Sequence, residues 1–154
     1  IQKLTHVCKA SGSMPIATPV TYIAGEACMD GAIGPSGGIP LDVAQADGYE
    51  KFLVILTRPR GYVKENRLPD WTYRSLLARY PRAAQALVDR PANYNRTRVE
   101  LERLEAEGKA YVFYPEHMGV ANFEDDPAKL EENFAAGYEQ MQRELPKVKE
   151  FLGL

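Results

Sequence analysis

Lys51-Phe52-Leu53-Val54-Ile55-Leu56-Thr57 is a continuous apolar run with β-branched members, bounded by charged residues and by Pro59 and Gly61. A half-exposed strand or an amphipathic helix would interleave polar residues at its own period. An unbroken run of this length therefore predicts a strand buried on both faces, of the kind found in parallel or mixed sheets covered by helices. The flanking sequence supplies those helices, and strands alternating with helices make the fold class α/β.

Upstream, Ile1, Leu4, Val7 and Cys8 recur at helical spacing, and Ser11-Gly12-Ser13-Met14-Pro15 ends that helix. Pro19–Ile23 and Ala27–Met29 read as two short strands about a tight turn at Ala24-Gly25-Glu26. Asp30–Pro40 is a glycine-rich loop, and Leu41–Ala46 a short helix stopped near Gly48. Arg58-Pro59-Arg60-Gly61 forms a loop at the carboxyl end of the apolar strand.

Downstream, Trp71–Tyr80 and Ala83–Val88 are helical and divided by Pro81; Tyr94–Glu107 is a charged helix with Gly108 as its stop. Arg98–Glu102 and Arg103–Glu107 stand four apart as stabilising pairs. Ala110–Tyr114 is one more short strand. Asp126-Pro127 starts a long helix, since aspartate caps free N–H groups and proline suits the first turn. Leu130, Phe134, Tyr138, Met141, Leu145 and Val148 make one apolar stripe along it, and Pro146 is expected to kink or restart it.

With 154 residues, 45% of them hydrophobic and 26% charged, the chain has the makings of an ordinary globular domain with a real core. Its longest apolar run is too short for a membrane span, and no signal-peptide pattern is visible. Cys8 and Cys28 are expected to be reduced thiols in a cytoplasmic protein. The first residue is Ile1 rather than Met, from which the chain is expected to start inside a longer gene product.

Net charge is −2, but it is strongly segregated. Residues 58–98 hold ten basic against three acidic side chains, and residues 99–154 hold six basic against thirteen acidic. The basic block lies among Trp71, Tyr73 and Tyr80, a mixture suited to an anionic surface such as phospholipid headgroups or nucleic acid. The commoner arrangement of such blocks is basic and acidic helices side by side, neutralising one another.

Gly34-Pro35-Ser36-Gly37-Gly38 fits the G-x-S-x-G nucleophile pattern. That motif works by raising the serine on a strained turn between a strand and a helix. Here Pro35 precedes the serine, no strand leads in, and two glycines would start a helix badly, so Ser36 reads as loop. Asp30 follows a short strand and precedes Gly31, which permits a sharp turn. Its carboxylate could deprotonate a serine brought from another segment, although Asp-Gly is also a common turn pair. His6 and His117 have no clustered ligands, so no metal is expected. Arg58 and Arg60 flank a strand end, where α/β proteins bind ligands, and are candidates for holding an anion.

The order of these pieces resembles the second half of patatin-like acyl hydrolases. There a small-residue A-S-S-x-x-P stretch precedes a D-G-G or D-G-A motif; here Ala10-Ser11-Gly12-Ser13-Met14-Pro15 precedes Asp30-Gly31-Ala32. The segment from Asp47-Gly48-Tyr49-Glu50-Lys51 to Arg58-Pro59-Arg60-Gly61-Tyr62 looks like a bacterial branch of that family. The resemblance implies that Asp30 is the aspartate of a Ser-Asp catalytic dyad, with Gly31 supporting its turn. It also implies that the serine elbow and the glycine-rich oxyanion loop lie upstream and are absent from this chain.

On that basis residues 1–62 are expected to be the carboxyl-terminal part of a three-layer patatin-like sandwich. Residues 63–154 are expected to be a helical extension with one short strand, packed on the same domain. The implied activity is serine ester hydrolysis of lipids, without cofactor, in the intact protein; the chain alone is expected to be inactive. The expected partners are the upstream segment, an ester lipid, a peripheral membrane contact and an oligomeric copy, but no nucleic acid. The competing reading is a non-catalytic module whose basic surface holds anionic lipid or another anionic partner.

Overall fold

A computed structural model describes residues 2–121 and 123–154, so the place of Ile1 in the first helical stripe lies outside the described residues. The chain is mixed α/β. Its elements in order are α1 (Gln2–Ser11), β1 (Thr21–Ile23), β2 (Glu26–Cys28), α2 (Leu41–Ala46), β3 (Phe52–Ile55), α3 (Asp70–Leu76), α4 (Pro81–Ala106), β4 (Ala110–Phe113) and α5 (Pro127–Leu152). They gather into two units, each discontinuous in sequence. The first is Ile1–Tyr49 with Val63–Glu100, and the second is Glu50–Tyr62 with Leu101–Leu154. Each unit therefore takes chain from both sides of the 62/63 boundary expected from the sequence.

In the first unit, α1 forms where the spacing placed it, yet Leu4, Val7 and Cys8 are exposed and only Ala10 near its end is buried. β1 and β2 pair antiparallel, Thr21 opposite Cys28 and Ile23 opposite Glu26. Both turn residues between them have positive φ, 51° at Ala24 and 85° at Gly25. That twist suits a two-residue hairpin, and only the alanine is strained by it, at about 1 kcal/mol. Pro81 opens α4, where its missing N–H costs nothing. The two helices expected on either side of Pro91 are one, because α4 runs through that residue. Tyr22 and Tyr80 share a hydroxyl hydrogen bond of 3.0 Å.

In the second unit β3 and β4 pair in parallel, in register from Phe52 opposite Ala110 to Ile55 opposite Phe113. Flanking bonds extend the ladder, from the Phe52 N–H to the Lys109 carbonyl and from the Leu56 N–H to the Phe113 carbonyl. A parallel or mixed sheet was expected, and this pair is parallel; burial on both faces is corrected. Phe52 and Leu56 are buried, whereas Leu53 is 42% and Ile55 62% exposed. The sheet has two strands, and the alternation of the pleat sends one set of side chains to a face that no second layer covers. The expected sandwich would need such a layer; the described residues form two separate two-stranded sheets.

Asp126 caps α5 by accepting the Ala128 N–H at 3.0 Å, and the helix ends at Gly153 with φ 76°. It neither ends nor restarts at Pro146, which lies inside it and is exposed, so the carbonyl that loses its partner can face water. The apolar stripe expected along α5 is covered only in part. Val148 is buried, but Leu130, Phe134 and Tyr138 are exposed. Length explains this. Twenty-six helical residues span about 39 Å, while a four-residue strand spans about 13 Å, so the β3–β4 pair can cover only part of α5.

Candidate active site

Asp30 stands two residues past the end of β2 in the first unit and is half-buried. Its position is fixed twice. The backbone N–H donates to the Ser13 carbonyl at 2.9 Å, and the carboxylate Oδ1 accepts the Ala32 N–H at 2.7 Å, capping a 3-10 turn over Gly31–Ile33. The cap is what a turn aspartate does. It also pins one carboxylate oxygen, which sets the direction of the other.

The partner in the first bond belongs to the other half of the resembling pattern. Ser13 is buried, and its hydroxyl donates to the Lys9 carbonyl at 2.7 Å. A serine hydroxyl has one proton. The 3.0 Å contact between Ser13 Oγ and Thr21 Oγ1 must therefore be donated by the threonine. One serine thus ties the end of α1, the start of β1 and the Asp30 turn. The stretch Ala10–Pro15 and the Asp30-Gly31-Ala32 motif, far apart in sequence, are hydrogen-bonded to each other.

Gly31 was expected to permit a sharp turn. Its backbone lies outside the left-handed region, and a Cβ added there would meet nothing within 4 Å, so neither strain nor crowding calls for glycine.

Ser36 lies in a turn with neither a strand before it nor a helix directly after it, as the loop reading expected, and it is buried. The Pro35 carbonyl accepts from Arg96 at 3.1 Å and the Ser36 carbonyl accepts from the Thr97 hydroxyl at 3.1 Å. The loop is docked against α4 by its backbone, which leaves no elbow geometry. His6 and His117 are exposed. Among the described residues no group of three or more His, Cys, Asp or Glu side chains is placed to hold a metal ion.

Arg58 and Arg60 belong to the second unit, Asp30 and Gly31 to the first. Arg58 lies 5.3 Å over the Tyr62 ring. Arg60 is already committed: it donates to both carboxylate oxygens of Glu105 at 2.9 Å and stacks 3.9 Å over Tyr114. Burial is the largest influence on its pKa and acts downward. The Glu105 hydrogen bond, with the charges of Tyr114, Glu105 and Glu102, outweighs it and holds the guanidinium above its usual value. An anion at Arg60 would have to compete with Glu105.

Arg60 borders an open cleft of about 560 Å³ that sequence reasoning did not find. At its floor buried Gln140 donates to the Tyr114 carbonyl and to Glu144 Oε1, each at 2.8 Å, and accepts the Glu116 N–H at 2.9 Å. The Tyr111 hydroxyl donates to Glu144 Oε2 at 2.9 Å. Burial, then the Glu144 hydrogen bond, pushes the Tyr111 phenol up to about 12. Gln140 and Glu144 are four apart on α5 and off the apolar stripe, so nothing in the sequence separated them from its solvated face. Gln140→Leu should destabilise the protein by about 1–3 kcal/mol, because it strands a buried carbonyl and an amide. Thermal melts should show this, and an unchanged midpoint would mean that water replaces the amide.

Residues 80–153 match the family model described as a domain of unknown function, DUF6363. The match covers 74 of the 154 residues, from the start of α4 through β4 and α5, and leaves the Asp30 turn outside it. No curated protein and no solved structure matches the chain. Among the described residues no helix is long and apolar enough to cross a membrane.

Proposed function

We propose that this chain supplies the aspartate of a Ser-Asp acyl hydrolase resembling the patatin-like lipid hydrolases, with Asp30 as the base. The observation that carries the reading is the hydrogen-bonded junction of its two motifs through Ser13. The Asp30 N–H is held by the Ser13 carbonyl, and the carboxylate is oriented by the Ala32 N–H in a half-exposed position. A base that must receive a hydroxyl from another segment needs this combination of fixed direction and access.

In the proposed reaction a serine from a segment outside these residues attacks the ester carbonyl and gives its proton to Asp30. Backbone N–H groups of that segment hold the oxyanion. Collapse expels the alcohol, which takes the proton from Asp30. Water then attacks the acyl-enzyme, again deprotonated by Asp30, and the proton returns to the serine as the fatty acid leaves. A dyad of this kind needs no histidine, metal or organic cofactor. On this reading the serine-bearing segment also supplies the strands that complete a patatin-like sandwich, for which exposed Leu53 and Ile55 are a natural seat.

The test uses a serine-directed fluorophosphonate probe and mass spectrometry. In the intact protein the probe should label a serine outside this chain. The chain alone should take no label and hydrolyse no short-chain ester. A label on Ser36, or ester hydrolysis by the chain alone, would show that the nucleophile has been misplaced.

A further inference from the structure

Between Val63 and Arg82 the chain carries Lys64, Arg67, Arg74, Arg79 and Arg82 against Glu65 and Asp70. The whole segment lies in the first unit. Tyr73 on α3 and Leu77 just past its end turn inward, the first half-buried and the second buried. The Tyr73 hydroxyl accepts the Leu68 N–H at 3.3 Å, which folds Arg67 and Leu68 beside the first turn of the helix. Trp71 and Arg74, three residues apart, share the outward side. Both are exposed, the indole to 70%, and Leu68 beside them is exposed as well.

Two costs are left standing on this face. A large indole and a leucine remain in water, although burying such side chains is favourable. Among the described residues neither the Arg67 nor the Arg74 side chain takes part in an ion pair or a hydrogen bond. Arg60 of the basic block pairs with Glu105 of the acidic one.

We infer that the Arg67–Leu68–Trp71–Arg74 face docks on an anionic lipid bilayer. Trp71 and Leu68 enter the boundary between headgroups and acyl chains, and the two guanidinium groups hold lipid phosphates on either side. Indole is suited to that boundary because one edge is polar and the body apolar. A nucleic acid would offer Trp71 a stacking surface but leave Leu68 in water, so the bilayer fits the full set of side chains. Asp70 and Glu65 oppose the attraction, and the segment keeps an excess of three positive charges. With one short helix and few contacts, binding is reversible and sensitive to salt. The inference does not depend on Asp30, because docking and ester hydrolysis are measured separately.

Trp71 is the only tryptophan in the chain, so its emission reports this face alone. The full chain is titrated with vesicles of phosphatidylglycerol and phosphatidylcholine. Its emission should move to the blue and the shift should reverse on adding salt, while pure phosphatidylcholine should leave it unchanged. Each basic side chain near an anionic surface contributes about fivefold to partitioning, so Arg67→Gln with Arg74→Gln should weaken it roughly 25-fold. Arg67→Lys with Arg74→Lys keeps the charge, should bind within about twofold of the parent and controls for folding. The proposal is overturned by an unshifted spectrum on anionic vesicles, by equal binding to neutral ones, or by undiminished binding of the glutamine variant. A response to heparin or an oligonucleotide with none to vesicles overturns it too and assigns the face to another polyanion.

Discussion

Asp30→Asn in the intact protein is expected to lower ester hydrolysis by roughly a thousandfold, within the range for loss of a positioned general base, and to leave the fold intact. The two halves of this expectation come from different atoms. An asparagine carbonyl can still accept the Ala32 N–H that Oδ1 accepts now, and the Ser13 bond involves only the backbone of residue 30. Asparagine and aspartate are near-equal caps, so the melting temperature should barely move. What asparagine cannot do is take a proton from serine. Asp30→Ala provides the contrast: it should lose activity equally and lose the cap as well, at about 1 kcal/mol. Initial rates on a short-chain ester, paired with thermal melts, separate the roles. Full activity in the asparagine variant would sink the dyad and leave Asp30 as a turn residue.

Gly37→Ala should be the most destabilising of the small substitutions in the first unit. Gly37 has φ 70° and sits against the middle of α4, where an added Cβ would collide with the backbone of Tyr94. The collision involves helix backbone, so no flexible side chain can move aside. The neighbouring carbonyls of Pro35 and Ser36 anchor the loop to Arg96 and Thr97, and backing the loop away would stretch both bonds. A positive-φ cost of about 1 kcal/mol and overpacking of about 1–3 kcal/mol together give about 2–4 kcal/mol. In a protein this size that lowers Tm by roughly 5–15 °C. Gly48→Ala is the control: φ is 88° but nothing lies within 4 Å, so only the conformational cost applies. If the two variants melt together, the Gly37 loop does not pack on α4 as described.

The local elements were largely legible. α2 falls on Leu41–Ala46 as read, β1 and β2 meet about the Ala24-Gly25 turn, and Asp126 caps α5. Each of these rests on neighbours in the sequence: a turn pair, a capping carboxylate, a short apolar period. Two helices were read with a gap between them where there is one, and the restart expected at Pro146 does not occur. Pro91 and Pro146 lie inside long helices, because a single lost N–H does not outweigh the bonds on either side.

Of the candidate site, the sequence offered Asp30 and its motif, but not what holds them. The Ser13 carbonyl that binds the Asp30 N–H, and the Thr21 hydroxyl behind it, come from segments whose approach no local pattern reports. The cleft around Gln140 was invisible for the same reason. A glutamine on a helix looks solvated until a strand end presents a carbonyl and an amide to it.

Residue order alone was enough for the α/β class, for a strand at KFLVILT in a parallel or mixed sheet, and for the segregation of charge. Which apolar faces are covered was set by the packing of distant segments. Leu53 and Ile55 on β3, and Leu130, Phe134 and Tyr138 on α5, carry the same signal as buried neighbours and remain exposed. Hydrophobic periodicity marks a face that gains from burial. Whether another layer is there to bury it depends on segments distant in sequence, and two four-residue strands are too small a surface to cover a 26-residue helix.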